Sequence, residues 1–178
     1  MKVHYILLVI STLIFFNCRK PDSRLAMNDC DQNFLVMTSH FNRSQIEISN
    51  LSSSKANDIG IKQLALRLTK YHQDSQNELD QIANTNSANL SYHSSQKHAN
   101  MRNALSQLSG KTFDSVYVCH QLKLHLSMLN LIRDEMQYGK NPAFKEYASR
   151  LNSQLLVHLN QSDSLSQLFL STYFRQDI

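Results

Sequence analysis

The chain has 178 residues and a formal net charge of +4, with three glycines, two prolines and no tryptophan. That length suits one domain with a self-standing core, and so few turn residues exclude an all-β chain of many short strands. Part of the positive excess sits in Lys2, Arg19, Lys20 and Arg24 and the rest is scattered among Asp, Gln and Ser, so no basic stripe points to nucleic acid.

Lys2 precedes an apolar run from Tyr5 to Phe16, short for a membrane span but right for the hydrophobic region of a secretory signal. The run ends in "FFNC" before the polar "RKPDSR", which resembles a bacterial lipoprotein signal whose Cys18 becomes the lipidated first residue. Asn17 stands where a small residue is usual. Residues 1–18 are read as signal peptide, 19–30 as a polar tether, 31–170 as a helical bundle domain and 171–178 as a C-terminal tail. The expected location is the bacterial cell envelope, with the chain lipid-anchored to the outer membrane or its periplasmic face rather than crossing it. The sequence names no protein partner.

A first helix is expected over about residues 31–54, with Phe34, Thr38, Phe41, Ile48 and Ser52 near one face. "KANDIG" breaks it, and Asn57 or Asp58 can cap a second helix over about 59–83. There Ile61, Ala65, Leu68, His72, Ser75, Leu79 and Ile82 form one stripe, so His72 points inward. A polar loop and a short third helix within 91–108 follow, ended by Gly110. The fourth helix spans about 113–138, with Thr112 a candidate cap and two apolar faces, Phe113, Tyr117 and Leu124 on one side and Val118, Leu122, Leu126 and Leu129 on the other. Gly139, Asn141 and Pro142 stop and restart the chain, and the fifth helix extends to about Leu170 with Phe144, Ala148, Leu151, Leu155, His158, Leu159 and Ser162 on one face. The expectation is an all-α, ferritin-like bundle of four long helices with a short crossover helix.

The order and spacing of Phe34, Glu47, His72, Gly110 with Phe113, Asp114 and Tyr117, His125, and His158 with Leu159 resemble the bacterial domain of unknown function 4142, over about residues 29–166. The resemblance implies a secreted or lipid-anchored chain, a ferritin-like bundle and no established biochemical role. Tyr71 stands where that family usually has Asp, and Ser153 where it usually has Pro.

Di-iron bundles pair Glu with His three residues on, and none of Glu47, Glu78, Glu135 and Glu146 is followed by such a histidine. His72, His125 and His158 could instead converge from three helices, and three imidazoles with a water or carboxylate suit zinc, copper or iron. The simpler reading of inward histidines is a core polar network with satisfied nitrogens. His120 and His125 diverge by about 140° on one helix and cannot share an ion. Glu47 lies off the apolar stripe, as a surface or interhelical salt-bridge residue does. Cys30 and Cys119 fall at opposite ends of the expected bundle, so free thiols are expected. No nucleophile, base and orienter set marks a catalytic residue, and no cofactor-binding motif is present. The leading expectation is therefore a non-enzymatic envelope protein with a structural, stress-related or interaction role, and the alternative is a metal-binding protein using the three histidines.

Overall fold

In a computed structural model the described residues are 27–90 and 95–175, and they form five helices and no strand: α1 (Asp29–Lys55), α2 (Ile59–Thr85), α3 (Gln96–Ser106), α4 (Gly110–Tyr138) and α5 (Pro142–Arg175). The architecture is a helical bundle. The leader, Cys18 and most of the tether lie outside the described residues.

Local sequence explains the helix ends. Asn28 accepts from Asp31 N at 2.9 Å while Asp31 Oδ2 accepts from Asn28 N at 2.7 Å, a reciprocal capping box that starts α1 two residues before the expected position. Asp58, one of the two expected caps, accepts from Ile61 N at 3.0 Å to start α2. Gly110 does not end α3: that helix stops at Ser106, and Gly110, in the left-handed region at φ 58°, opens α4. Ser109 therefore takes the cap position expected of Thr112. At the far end α5 continues through Arg175, past the end expected near Leu170.

Two aspartates fasten each helical hairpin to the other. Asp31 Oδ1 accepts from Lys140 N and Asn141 N, both at 3.0 Å, so the start of α1 holds the α4–α5 turn. Asp114 reciprocates from α4: its two carboxylate oxygens accept from Asn57 N and Asp58 N in the α1–α2 turn, each at 2.9 Å. Both carboxylates are fully buried, and charge-assisted bonds to backbone N–H groups are what make such burial tolerable.

These contacts also set chain directions. The start of α1 meets the end of α4, and Ser49 near the end of α1 meets Tyr117 near the start of α4, hydroxyl to hydroxyl at 3.3 Å, so α1 and α4 are antiparallel. Tyr147 of α5 donates to Ser75 O of α2 at 3.1 Å, and Asn141 bonds Asn86 at 2.9 Å. The connection between α2 and α4 therefore returns along the bundle. Its helix α3 rests on α1 through a Glu47–Arg102 ion pair at 3.7 Å and a bond from Lys55 to the Ser106 carbonyl.

The apolar interior is in two parts. One cluster, including Phe34, Leu79, Ile132, Phe144 and Leu155, fills the end near the α4–α5 turn. The other, including Ile48, Ile61, Phe113, Tyr117 and Val118, fills the end near the α1–α2 turn. Each fully buried Leu, Ile or Phe contributes about 2 kcal/mol, which holds both ends together. Polar side chains occupy the middle.

Candidate metal centre

His72, His125 and His158 meet in that middle, delivered by α2, α4 and α5. The same periodicity that puts His72 between Leu68 and Ser75 on the inner stripe of α2 puts His125 between Gln121 and Met128 on α4. His158 follows Leu155 and precedes Ser162 on the inner stripe of α5. One nitrogen from each ring lies within 4.8 Å of the others. His72 and His125 are fully buried and His158 is 6 % exposed.

The rings are held from outside. His72 Nδ1 sits 2.9 Å from Asn42 Oδ1, and His125 Nδ1 sits 2.7 Å from the Gln121 carbonyl oxygen. Facing oxygens require Nδ1–H to donate in both cases, which leaves each Nε2 with a free lone pair. Asn42 is itself fixed: its Nδ2 donates to Ser75 Oγ at 3.3 Å and Tyr147 Oη at 3.4 Å. Aromatic edges hold the ring planes. Phe41 packs edge-on against His72 and His125 at 5.2 and 5.8 Å between centroids, and Tyr71 against His72 and His158 at 5.0 and 4.5 Å.

Inside the triangle nothing satisfies the rings. His72 Nε2, His125 Nε2 and His158 Nδ1 are all buried without a hydrogen-bond partner. The expected network of satisfied core histidines is thus only partly present: His72 and His125 are bonded at Nδ1, while one nitrogen of each of the three rings is left without a partner. Leaving a buried acceptor unmatched costs about 1–3 kcal/mol, and here three converge. The rings do not relieve this by protonation. Burial, with the neighbouring His125 and His158, holds His72 well below the usual imidazole range. Burial lowers His125 to about 4, partly opposed by the Gln121 carbonyl, and burial with His125 and Arg67 lowers His158 to about 4. At neutral pH the triad is three neutral imidazoles, each with one buried nitrogen that has no hydrogen-bond partner.

That donor set is what a borderline transition metal takes, with second partners fixing the tautomers of His72 and His125. Even an equilateral triangle at the full 4.8 Å has its centre about 2.8 Å from each nitrogen, so bonds of about 2.1 Å ask each ring to move inward by no more than about 0.7 Å. Side-chain torsions supply such a shift without moving a helix. Among the described residues no Cys, Asp or Glu joins the group.

The other residues singled out from sequence have structural places. Glu47 pairs with Arg102, as an interhelical salt-bridge residue does, and Asp114 holds the opposite turn rather than only favouring its own helix start. Cys30 and Cys119 are free thiols. Cys30 Sγ approaches the Asp134 carbonyl at 3.5 Å, fifteen residues, or about 22 Å of helix, from Cys119. The second apolar face expected on α4 is corrected: Leu126 is 52 % exposed, and the buried stripe runs through Gln121 and His125 instead. Sequence reasoning passed over Asn42, Gln45 and Gln121, all fully buried; the available signal was a spacing of four residues, Asn42 from Thr38, Gln45 from Phe41, and Gln121 from Tyr117 and His125.

No curated protein matches the chain. Among solved structures the fold is similar to the crystal structure of a DUF305 fragment from Deinococcus radiodurans, with a TM-score of 0.70 and 9 % identity over 79 % of this chain and 97 % of that one. The family model described as Domain of unknown function (DUF4142) matches residues 17–165, most of the chain, including all three histidines and both turn-fastening aspartates, and the chain belongs to that family.

Proposed function

We propose that this bundle binds one transition-metal ion through His72, His125 and His158, in a storage or sequestration role rather than a catalytic one. The observation that carries the reading is the convergence of three buried imidazoles, each with an unpartnered nitrogen, within 4.8 Å. A polar network built only for packing would pair those nitrogens. The antiparallel arrangement of α1 with α4, and the connection that returns along the bundle, support the finer ferritin-like topology, with the metal supplied by imidazoles instead of paired carboxylates.

The sequence features of the leader support a place at the bacterial envelope, with Cys18 as the lipidated residue and the membrane as partner through that lipid. No described helix is long and apolar enough to cross a membrane, which is compatible with anchoring by lipid. Exposed side chains, and not the buried triad, would then carry any protein contact of a structural or stress-related role.

The test is metal analysis of protein purified without a histidine tag. About one equivalent of zinc, copper or iron is expected to remain through gel filtration and to be absent from His125→Ala/His158→Ala. Protein that stays metal-free after incubation with each ion at neutral pH refutes the reading. Loss of membrane association in Cys18→Ser tests the anchor separately.

A further inference from the structure

The layer beside the triad, toward the α1–α2 turn, is also polar and also unmatched. Ser49 with Tyr117, and Phe41 with His125, are facing pairs between α1 and α4. About two turns separate the pairs on each helix, so the positions midway between them, Gln45 and Gln121, face each other. On α5 the residue one turn beyond His158 is Ser162, directed into the same layer. All three are 0 % exposed, and Gln45 Nε2 and Oε1, Gln121 Nε2 and Oε1, and Ser162 Oγ have no hydrogen-bond partner. The Tyr117 hydroxyl is hydrogen-bonded to Ser49 and also lies within side-chain hydrogen-bonding reach of Gln121, whose amide has a second polar atom free to meet a ligand.

Two primary amides and a hydroxyl, none charged, match a small neutral molecule that both donates and accepts. The triad next to them supplies three ligands, with no carboxylate or thiolate in its group to complete a tetrahedron. We propose that the Gln45–Gln121–Ser162 layer is a binding site for an exogenous fourth ligand, a water molecule coordinated to the metal and hydrogen-bonded by these side chains. The inference rests on the metal reading above. It makes the centre an open, exchangeable site rather than a closed structural one. The Gln121 backbone carbonyl orients His125 while its side chain holds the water, so one residue serves both the ligand and the open position.

Copper(II) is the probe. The full chain is loaded with one equivalent, exchanged into D₂O, and the deuteron coupling at the copper is read by pulsed electron paramagnetic resonance beside the imidazole nitrogen couplings. Wild type is expected to show the strong coupling of a coordinated D₂O. In Gln45→Leu/Gln121→Leu, which fills the layer with apolar volume, that coupling falls by at least about twofold at unchanged copper stoichiometry. Absence of copper uptake by wild type refutes the metal reading itself. Uptake with imidazole couplings and only weak, remote deuterons in wild type overturns the water site while leaving the metal reading intact. An unchanged strong coupling in the double variant also overturns it, by placing the water elsewhere. Should that variant fold poorly, Ser162→Ala and the wild-type measurement decide, the former by the same loss of coupling.

Discussion

Lowering the pH from 7 to 4.5 should destabilise this bundle through its buried histidines, by an amount the structure sets. An ordinary imidazole, as in the unfolded chain, has a pKa of 6.5, whereas His125 and His158 are held at about 4 in the fold and His72 well below 6.5. Above pH 6.5 neither state binds these protons and the rings contribute no pH dependence. Between 6.5 and 4 the unfolded state takes up protons that the folded state refuses, so stability falls as pH falls. At 1.36 kcal/mol per unit, reaching pH 4.5 costs about 3 kcal/mol per ring, or roughly 5–6 kcal/mol for His125 and His158 together, with His72 adding in the same direction. Glu135 acts with the opposite sign: burial, with Asp31, raises it to about 7, so its own contribution falls as pH rises from about 4.5 to 7. Comparing wild type with a triple His→Gln variant of the triad cancels that contribution. Urea unfolding at several pH values, followed by helical circular dichroism in the presence of chelator, reads the difference. With a urea slope near 2 kcal/mol per M, the wild-type midpoint should drop by about 2–3 M more than the variant's between pH 7 and 4.5. Equal drops in the two proteins would refute the claim that the rings are buried and neutral.

Saturating zinc at a free concentration of about 1,000 times Kd should raise wild-type stability by about 4 kcal/mol at pH 7, seen as a higher unfolding midpoint, and should leave the triad variant unmoved. Asp31→Ala removes the acceptor of three backbone N–H groups and should cost about 3 kcal/mol or more by thermal unfolding, with Asp114→Ala, which strands two, costing somewhat less. Gly139→Ala places a Cβ 2.6 Å from both the Glu135 carboxyl carbon and its backbone oxygen, so a loss of about 1–3 kcal/mol is expected in the same assay. Tyr147→Phe deletes a hydroxyl bonded to Ser75, at 2.7 Å to its Oγ, and to Asn42; a loss of about 1–2 kcal/mol is expected, together with weaker metal retention because Asn42 orients His72.

Much of the candidate site was readable from periodicity. His72 and His158 share inward stripes with Leu68 and Leu155, and both are buried as that pattern requires. The leucines of α4 misled for a physical reason. That helix has apolar residues around more than one face, so a count of leucines chooses wrongly between Leu126, which is exposed, and Gln121, which is not. The orphaned amides of Gln45 and Gln121 had no local signature, because glutamine is a good helix former on any face. Asp31 and Asp114 read locally as helix-start carboxylates. Their bonds to turns about 110 and 57 residues away depend on which helix ends the fold brings together.

By itself the sequence determined the number of long helices, the ends set by Asp58 and Pro142, and that His72 and His158 face inward, since these follow from 3.6-residue periodicity and capping chemistry within each segment. Tertiary structure alone decided that three inward histidines from different helices lie at one height, with their free nitrogens turned toward one another. Axial register between antiparallel helices is set by side-chain interlocking and by the two aspartate-held turns, and a displacement of one helical turn, about 5.4 Å, would leave every helix intact while taking the triad apart.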